Sequence, residues 1–510
     1  SISPVNPLVA RFIYGLIMRT LLARRFHEAI LILVIVVGCT GESGHEAPER
    51  PNLILIIADD MAWNDSGAYG HPHIQTPNID QLAKQGMRFD QAFLTISSCS
   101  PSRSSIITGL YPHQTDAEQL HWPLPKEQVT FVEQLKEAGY WTAQAGKWHL
   151  GEAVKDRFDT LYPVGTAGYV MSQESTTKMP PNDSGCEDWV RALQERPKDQ
   201  PFFMWLAAVD PHRPYKPGII EQPHRPEDVI VPPYLPNTEV VREELALYYD
   251  EITRLDGYVG DVMQELERQG VADNTLILYI SDNGRPFPLD KTTIYDGGIK
   301  TPWIVKWPAK VAPATTCQSL VSAIDIAPTF LTLAGLSVDD RYEGVDFSPL
   351  LQQPDSSIRE AVFAEDHWHD FEDQARAVRT TRYKYIRNYY PDLPNTPSAD
   401  ILRGAIFQSI LTLRQAGELT EEKTNSMFEP RASEELYDVV SDPDEKRNLA
   451  NDPAYRQVLD TMRRNLTNWQ QQTSDKNPKD RTPDEFTRDT GLPLPVMQRP
   501  RPSKQEMFGN

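Results

Sequence analysis

The sequence is short of basic charge, of cysteine and of long apolar runs. Its 51 Lys and Arg residues are outnumbered by 72 Asp and Glu residues, and the formal net charge of −21 argues against nucleic acid as the main partner. The apolar run at residues 29–37 is too short to cross a bilayer as a helix. Only four cysteines are present, but 39% apolar residues and ten Trp provide ample material for a core.

The N-terminal segment has the features of a bacterial lipoprotein signal. Arginine residues precede the apolar run, as in a signal peptide. The run ends in Val36-Val37-Gly38-Cys39, which resembles a lipobox, whose cysteine is lipidated and becomes the first residue of the mature chain. Met18 is the expected start, because the distance from Met18 to Gly38 is a normal signal length. The alternative, a membrane-anchor helix, is disfavoured by the arginines and Glu28 at its start.

Composition along the chain predicts four segments. We expect a signal peptide and lipobox over residues 1–39 and a short tether over 40–50. A change of composition near residue 355 predicts a larger catalytic domain over 51–355 and a smaller subdomain with a tail over 356–510. The expected location is the periplasm or the outer membrane, with the N-terminal lipid as the only membrane contact.

Four short apolar runs, each followed by polar residues, indicate the fold: residues 53–58, 141–145, 202–208 and 276–280. Runs of this length, spaced by helical patterns, predict buried strands of a parallel sheet. We therefore expect an α/β fold, with a large, mixed, mostly parallel sheet sandwiched by helices. An amphipathic helix is predicted over 243–269, and a strand over 377–385 within a smaller C-terminal α+β subdomain.

The polar residues that follow these strands collect at one edge of such a sheet. One group consists of oxygen donors, which suit a hard cation such as Ca²⁺ or Mg²⁺: Asp59, Asp60, Asp282 and Asn283. The other group is positive: Arg103, Lys147, His149, His212 and Lys291. An isolated aspartate pair is more often a solvated turn. Two acidic clusters at two strand ends, with cations nearby, favour a metal site.

Cys99 opens the run Cys99-Ser100-Pro101-Ser102-Arg103, which predicts the start of a helix. Ser100 is expected to cap it, with Pro101 at the first helical position and Gly109 at its end. Cys99 would then lie at the positive end of the helix, with the Arg103 cation one turn on, facing an anionic substrate. The spacing of Cys99 and Arg103 is too tight for a thiol phosphatase. A buried structural cysteine is the other alternative.

Together these motifs resemble the type I sulfatases. The Cys-x-Pro-Ser-Arg core, followed by Ile107-Thr108-Gly109, resembles the signature of that family, and further segments resemble its later motifs: residues 146–151, 210–212, 282–284, 295–302 and 435–438. The resemblance runs from about Arg50 to about Tyr455 and implies an alkaline-phosphatase-like fold. Residues 282–288 resemble the branch that contains sulfamidase and bacterial polysaccharide sulfatases.

The resemblance also implies a mechanism. In this family a formylglycine-generating or an anaerobic sulfatase-maturating enzyme oxidises the motif cysteine, here Cys99, to Cα-formylglycine (3-oxoalanine). The hydrate of this aldehyde is the nucleophile that attacks sulfur. The implied ligands of the cation, Ca²⁺ or alternatively Mg²⁺, are converted Cys99 and the four oxygen donors: Asp59, Asp60, Asp282 and Asn283.

The same resemblance assigns roles to the positive side chains. Arg103 and Lys147 steady the formylglycine, while Lys147 and Lys291 contact the sulfate. His212 is matched to the residue that protonates the leaving oxygen or nitrogen. His149 is matched to the residue that takes a proton from the second hydroxyl, so that sulfate is expelled and the aldehyde is regenerated.

The implied activity is hydrolysis of sulfate esters, or of N-sulfate, in a sulfated polysaccharide or oligosaccharide. His367 and His369 flank an aromatic residue and are expected either to grip the sugar or to lie on a surface loop. Two other functions stay open: a phosphonate or phosphodiester hydrolase of the same superfamily, and a non-catalytic, anchored glycan-binding protein with unconverted Cys99. Cys186 and Cys317 are expected to pair or to be two buried thiols.

Overall fold

A large mixed sheet organises the part of the chain that the computed structural model describes, residues 50–164, 184–419, 426–478 and 481–495. The predicted signal peptide, lipobox and Cys39 lie outside these residues. From edge to edge the eight strands are β5 (Thr160–Pro163), β4 (Trp141–Gly146), β6 (Phe202–Ala207), β1 (Asn52–Ala58), β7 (Thr275–Ser281), β8 (Trp303–Lys306), β2 (Met87–Phe89) and β9 (Thr315–Cys317). The first five are parallel, and β8 is antiparallel to both of its neighbours.

The four apolar runs form the adjacent strands β4, β6, β1 and β7, which confirms the predicted parallel sheet. The register aligns the last residues of these strands, because Ala58 pairs with Ser281 and Ala207 pairs with Gly146. The residues that follow therefore leave the sheet along one edge. All the residues of these four strands are buried, since helices cover both faces of the sheet.

Successive residues of β1 enter two different cores. Leu53, Leu55 and Ile57 belong to one hydrophobic cluster, while Ile54 and Ile56 belong to the other. Cys186 and Cys317 are divided in the same way: Cys317 lies in the first cluster and Cys186 in the second. Both are buried single cysteines, so the alternative of two buried thiols is the one observed.

Helices pack around the large sheet. In chain order they are α1 (Pro77–Lys84), α2 (Cys99–Thr108), α3 (Phe131–Glu137), α4 (Trp189–Glu195), α5 (Glu239–Arg268), α6 (Asp296–Ile299) and α7 (Ile326–Leu333). The predicted amphipathic helix corresponds to α5, which begins earlier because the Thr238 side chain caps it by accepting a hydrogen bond from Val241 N. Among the described residues, no helix is both long and apolar enough to span a membrane.

A second, antiparallel sheet follows, with strands β11 (Val362–Asp366), β12 (Ala375–Arg379), β13 (Tyr383–Asn388) and β14 (Glu434–Asp438). The single strand predicted over 377–385 is wrong, because these residues form a hairpin. Val378 and Tyr385 pair across the hairpin on one buried face, whereas residues seven apart in a single strand would lie on opposite faces.

Smaller elements complete the fold. Residues 92–93 form β3 and residues 321–322 form β10, which pair in a two-stranded sheet. The C-terminal half also contains α8 (Ala399–Leu402), α9 (Ala405–Ala416) and α10 (Arg456–Gln472). The domain boundary predicted near residue 355 falls between the last strand of the large sheet and the first of the small one. One hydrophobic cluster includes residues from both sides, so this boundary stays a prediction.

Candidate active site

Cys99 is the first residue of α2, every residue of which is buried. The position of the cysteine at the positive end of a helix is thus as predicted, and Gly109 ends the helix in a left-handed conformation, with φ of 67°. The predicted cap is wrong: Ser98, in extended conformation, occupies the cap position. Ser100 lies inside the helix, where its Oγ accepts a hydrogen bond of 2.8 Å from His121 N.

Carboxylates from two strand ends surround Cys99. Its Sγ atom lies 3.7 Å from Asp59 Oδ1 and 4.0 Å from Asp60 Oδ1. Each of Asp59, Asp60, Cys99 and Asp282 offers one ligand atom, and these four atoms lie within 4.8 Å of one another. Burial raises the pKa of the Cys99 thiol, so the unconverted side chain is a protonated and weak nucleophile.

The chemistry of these residues fits a hard divalent cation. The amide Nδ2 of Asn283 donates to Asp60 Oδ1, whereas Asn283 Oδ1 is buried and has no hydrogen-bond partner among the described residues. Burial, together with the negative charge of Asp59, raises the pKa of Asp282 above its ordinary value. A cation with oxygen ligands would give Asn283 Oδ1 a partner and would offset the repulsion between the crowded carboxylates.

Three buried cations balance the three carboxylates. Arg103 donates to Asp282 Oδ2 through Nε at 2.9 Å and through a terminal nitrogen at 2.7 Å. Lys147 pairs with Asp59, and Lys291 Nζ lies 2.8 Å from Asp60 Oδ2. Since these charges cancel, a bound divalent cation would make the pocket positive. The site can therefore attract an anion although the whole chain is acidic.

His212 presents one ring nitrogen to this cluster. Its Nδ1 lies 2.6 Å from the carbonyl oxygen of Arg213, which can only accept, so Nδ1 carries a hydrogen and donates it. Its Nε2 lies 3.7 Å from Asp60 Oδ2. With Nδ1 fixed in this way, Nε2 is the atom that can exchange a proton with a molecule in the site.

His149 is held by a histidine that the sequence analysis missed. The Nε2 atom of His149 lies 2.7 Å from Nδ1 of His121. Burial, and then the charges of His121 and Lys147, lowers the pKa of His149 well below its ordinary value, so its ring is neutral. The loop that carries His121 follows no apolar run and contains no glycine, so no sequence signal indicated its importance.

The structure separates the two histidines expected to contact the sugar. His369 Nδ1 lies 2.7 Å from Ser98 Oγ, directly beside Cys99. His367 Nε2 lies 2.6 Å from Glu365 Oε2, and the same carboxylate holds His113 Nδ1 at 2.6 Å. Both histidines are buried, which excludes the surface-loop alternative. The catalytic and binding roles assigned to the residues of this site stay predictions.

Two family models match the chain. The model of the sulfatase family matches residues 51–336, and that of the N-sulphoglucosamine sulphohydrolase C-terminal domain matches residues 287–396. An ulvan-active sulfatase from Formosa agariphila is 30% identical, over 88% of this chain and 81% of its own. Human N-sulphoglucosamine sulphohydrolase is 32% identical, over 84% of this chain and 91% of its own.

Solved structures show the same fold at lower identity. One, in complex with its substrate D-glucosamine-2-N,6-O-disulfate, has a TM-score of 0.66 and 22% identity, over 85% of this chain and 100% of the other. A phosphonate monoester hydrolase of Agrobacterium radiobacter has a TM-score of 0.65 and 20% identity, over 83% of this chain and 96% of the other. The fold is therefore shared by enzymes of different activity. The family match and the identity to the curated relatives decide the assignment: the chain belongs to the sulfatase family and is a sulfuric ester hydrolase.

Proposed function

We propose that this enzyme releases sulfate from a sulfated polysaccharide or its oligosaccharides, with converted Cys99 as nucleophile. One observation carries the proposal: Cys99 begins a buried helix within 4.8 Å of three aspartate oxygens, in a pocket that also holds three cations. The relatives named above include an ulvan-active enzyme and a sulphohydrolase of N-sulphoglucosamine. Their names favour a sugar substrate with either an O-sulfate or an N-sulfate.

The side chains divide the work of the reaction. A bound Ca²⁺ ion, held by the side chains of Asp59, Asp60, Asp282 and Asn283, would polarise the sulfate and acidify the attacking hydroxyl. Lys147 and Lys291 neutralise charge that develops on the sulfate oxygens. Because this pocket is buried, their charges act with little screening by water.

Two histidines move protons in different steps of the reaction. His212 Nε2 gives a proton to the leaving oxygen or nitrogen of the sugar, while its Nδ1 stays bound to the Arg213 carbonyl. His149 is neutral and can accept a proton from the second hydroxyl of converted Cys99, so that sulfate is expelled, and His121 keeps the His149 ring in position. Arg103 holds Asp282 in place through two hydrogen bonds.

Maturation and location complete the proposal. A formylglycine-generating or anaerobic maturating enzyme would convert Cys99 before or during folding, because the folded site buries it. The lipobox-like sequence ending in Cys39 supports a lipoprotein of the periplasm or outer membrane. Labelling with a radioactive fatty acid tests this part: the wild-type chain should incorporate label, and a Cys39→Ala chain should not.

A sulfate-release screen tests the activity. The enzyme, co-expressed with a converting enzyme, is incubated with Ca²⁺ and with N-sulfoglucosamine, ulvan oligosaccharides, other sulfated saccharides and a phenyl phosphonate ester. We expect sulfate release from at least one saccharide, at a higher kcat/KM than for the phosphonate. The variant Cys99→Ala should release no sulfate from the saccharide. The control Cys317→Ala, which removes a thiol from the core, should release sulfate like wild type. Converted enzyme that releases no sulfate, or that prefers the phosphonate, would contradict the proposal.

A further inference from the structure

A segment between β13 and β14 brings the short helix α8 to the active site. This segment, residues 389–433, carries both α8 and α9. Ala399 N, in the first turn of α8, donates a 2.9 Å hydrogen bond to Asp370 Oδ2. Asp370 directly follows His369, which contacts Ser98 beside the nucleophile. The start of α8 is therefore tied to the same short stretch of chain that touches the reaction centre.

Asp400, the second residue of α8, lies within electrostatic range of positive side chains at the site. Its carboxylate is influenced electrostatically by Lys291, His212 and Arg213. Burial alone would raise the pKa of Asp400, but these charges lower it below its ordinary value, so the group is ionised. Neither family match extends to this residue, since the C-terminal one ends at 396.

Among the described residues, only one of the two carboxylate oxygens of Asp400 has a hydrogen-bond partner. Oδ1 accepts a hydrogen bond of 2.5 Å from Ser398 Oγ. Oδ2 is buried, yet it has no hydrogen-bond partner in the described part of the chain. The described ion pairs, taken to 4.0 Å, include none with Asp400, so Lys291 and Arg213 are neighbours rather than direct partners. A buried carboxylate oxygen without a donor is costly and needs an explanation.

We propose that Asp400 determines substrate specificity: its Oδ2 accepts a hydrogen bond from a hydroxyl or amino group on the sugar that bears the sulfate. The inference rests on the proposed function, because it places the sugar between Lys291, which contacts the sulfate, and α8. An ionised carboxylate only accepts hydrogen bonds, so it selects for a donor. A sulfate in place of that hydroxyl or amino group would meet the negative charge of Asp400, so a sugar that carries one there is rejected.

A purely structural role predicts something different. In that case Asp400 would serve only to bind Ser398 and stabilise α8, and its loss would lower activity on every substrate by the same factor. Recognition of one donor group instead makes the loss depend on whether the substrate carries that group. The ratio of kcat/KM between the full substrate and an analogue distinguishes the two roles, because a general loss of folded enzyme lowers both values by the same factor.

The experiment measures kcat/KM on matched substrates. The probes are the sugar sulfate that wild type hydrolyses best, and analogues of it that each lack one hydroxyl or amino group near the sulfated position. For wild type, we expect one analogue to react roughly tenfold to hundredfold more slowly, the usual effect of losing a hydrogen bond to a charged group. In Asp400→Asn this discrimination should fall to within a few-fold of unity.

Controls separate the outcomes. Asp392→Asn changes an exposed aspartate of the same segment that pairs with Arg481, and it should keep the wild-type discrimination. If Asp400→Asn slows all analogues equally, or leaves the discrimination intact, the specificity role of Asp400 is overturned while the sulfatase proposal stands. If converted wild-type enzyme releases no sulfate from any sugar, both proposals are overturned.

Discussion

His121 and His149 meet through their ring nitrogens, with 2.7 Å between His121 Nδ1 and His149 Nε2. Both residues adopt left-handed backbone conformations, with φ of 66° and 57°, which non-glycine residues rarely do. His121 is also fixed through its backbone, because its N–H donates to Ser100 Oγ, one residue after the nucleophile. This arrangement sets the orientation of His149 relative to Cys99.

The first prediction is that His121 positions His149 for catalysis. His121→Ala should lower kcat by about tenfold and change KM little, because the misoriented base acts after the substrate is bound. His121→Asn should restore part of the rate, since an amide can again bond to His149 Nε2. His73→Ala, at an exposed histidine, is the control and should behave as wild type. An equal rate for His121→Ala and wild type would contradict this role.

The second prediction concerns the orphaned oxygen of Asn283. Asn283→Ala removes a neutral ligand atom, so the affinity for Ca²⁺ should fall roughly tenfold to hundredfold. Calorimetric titration of the metal-free protein measures this directly, and the rise in Tm at a fixed Ca²⁺ concentration should shrink in parallel. Asn274→Ala, at a residue whose side chain contacts only a backbone oxygen among the described partners, should bind Ca²⁺ normally. Unchanged affinity in Asn283→Ala would show that this oxygen is not a ligand.

The third prediction is a pH dependence of stability caused by Glu372. Burial raises the pKa of Glu372 to about 8, and the neighbouring Asp373 and Asp484 add to the effect. The pKa of Glu372 in the unfolded chain is lower. At a pH between the unfolded and the folded pKa, the folded protein therefore binds more protons at Glu372 than the unfolded chain does. The free energy of unfolding therefore falls as pH rises through this window, and the loss is complete above the folded pKa.

Glu372→Gln removes this loss. In urea unfolding, the variant should gain stability over wild type as pH rises from about 5.5 to about 8. The exposed Glu360→Gln is the control and should show no such trend. A stability difference between Glu372→Gln and wild type that is the same at all these pH values would contradict the assignment.

Local patterns in the sequence were sufficient where chemistry follows a strand. Asp59, Lys147, His212 and Asp282 each come shortly after an apolar run, and a parallel sheet must bring such positions together. The start of α2 was misplaced because Ser98, Ser100 and Ser102 are all acceptable caps, and propensity does not choose among them.

The residues that the sequence did not reveal are placed by tertiary structure. His121 lies in a loop and has a left-handed backbone conformation. Asp400 lies in the segment between β13 and β14. Neither lies in a motif or at a periodic position. A hydrogen bond from its backbone N–H to Ser100 holds His121 near the nucleophile, and a hydrogen bond from Ala399 N to Asp370 holds the start of α8, which carries Asp400.

The central claim is that an aldehyde derived from Cys99 carries the reaction, and the mass of the peptide around Cys99 tests it most directly. The measurement is made on a preparation whose sulfate release has been determined. We predict that the aldehyde form is present and that its fraction rises in proportion to the specific activity across preparations with different degrees of conversion. A preparation that releases sulfate at full rate while all of its Cys99 has the mass of the thiol would contradict the account.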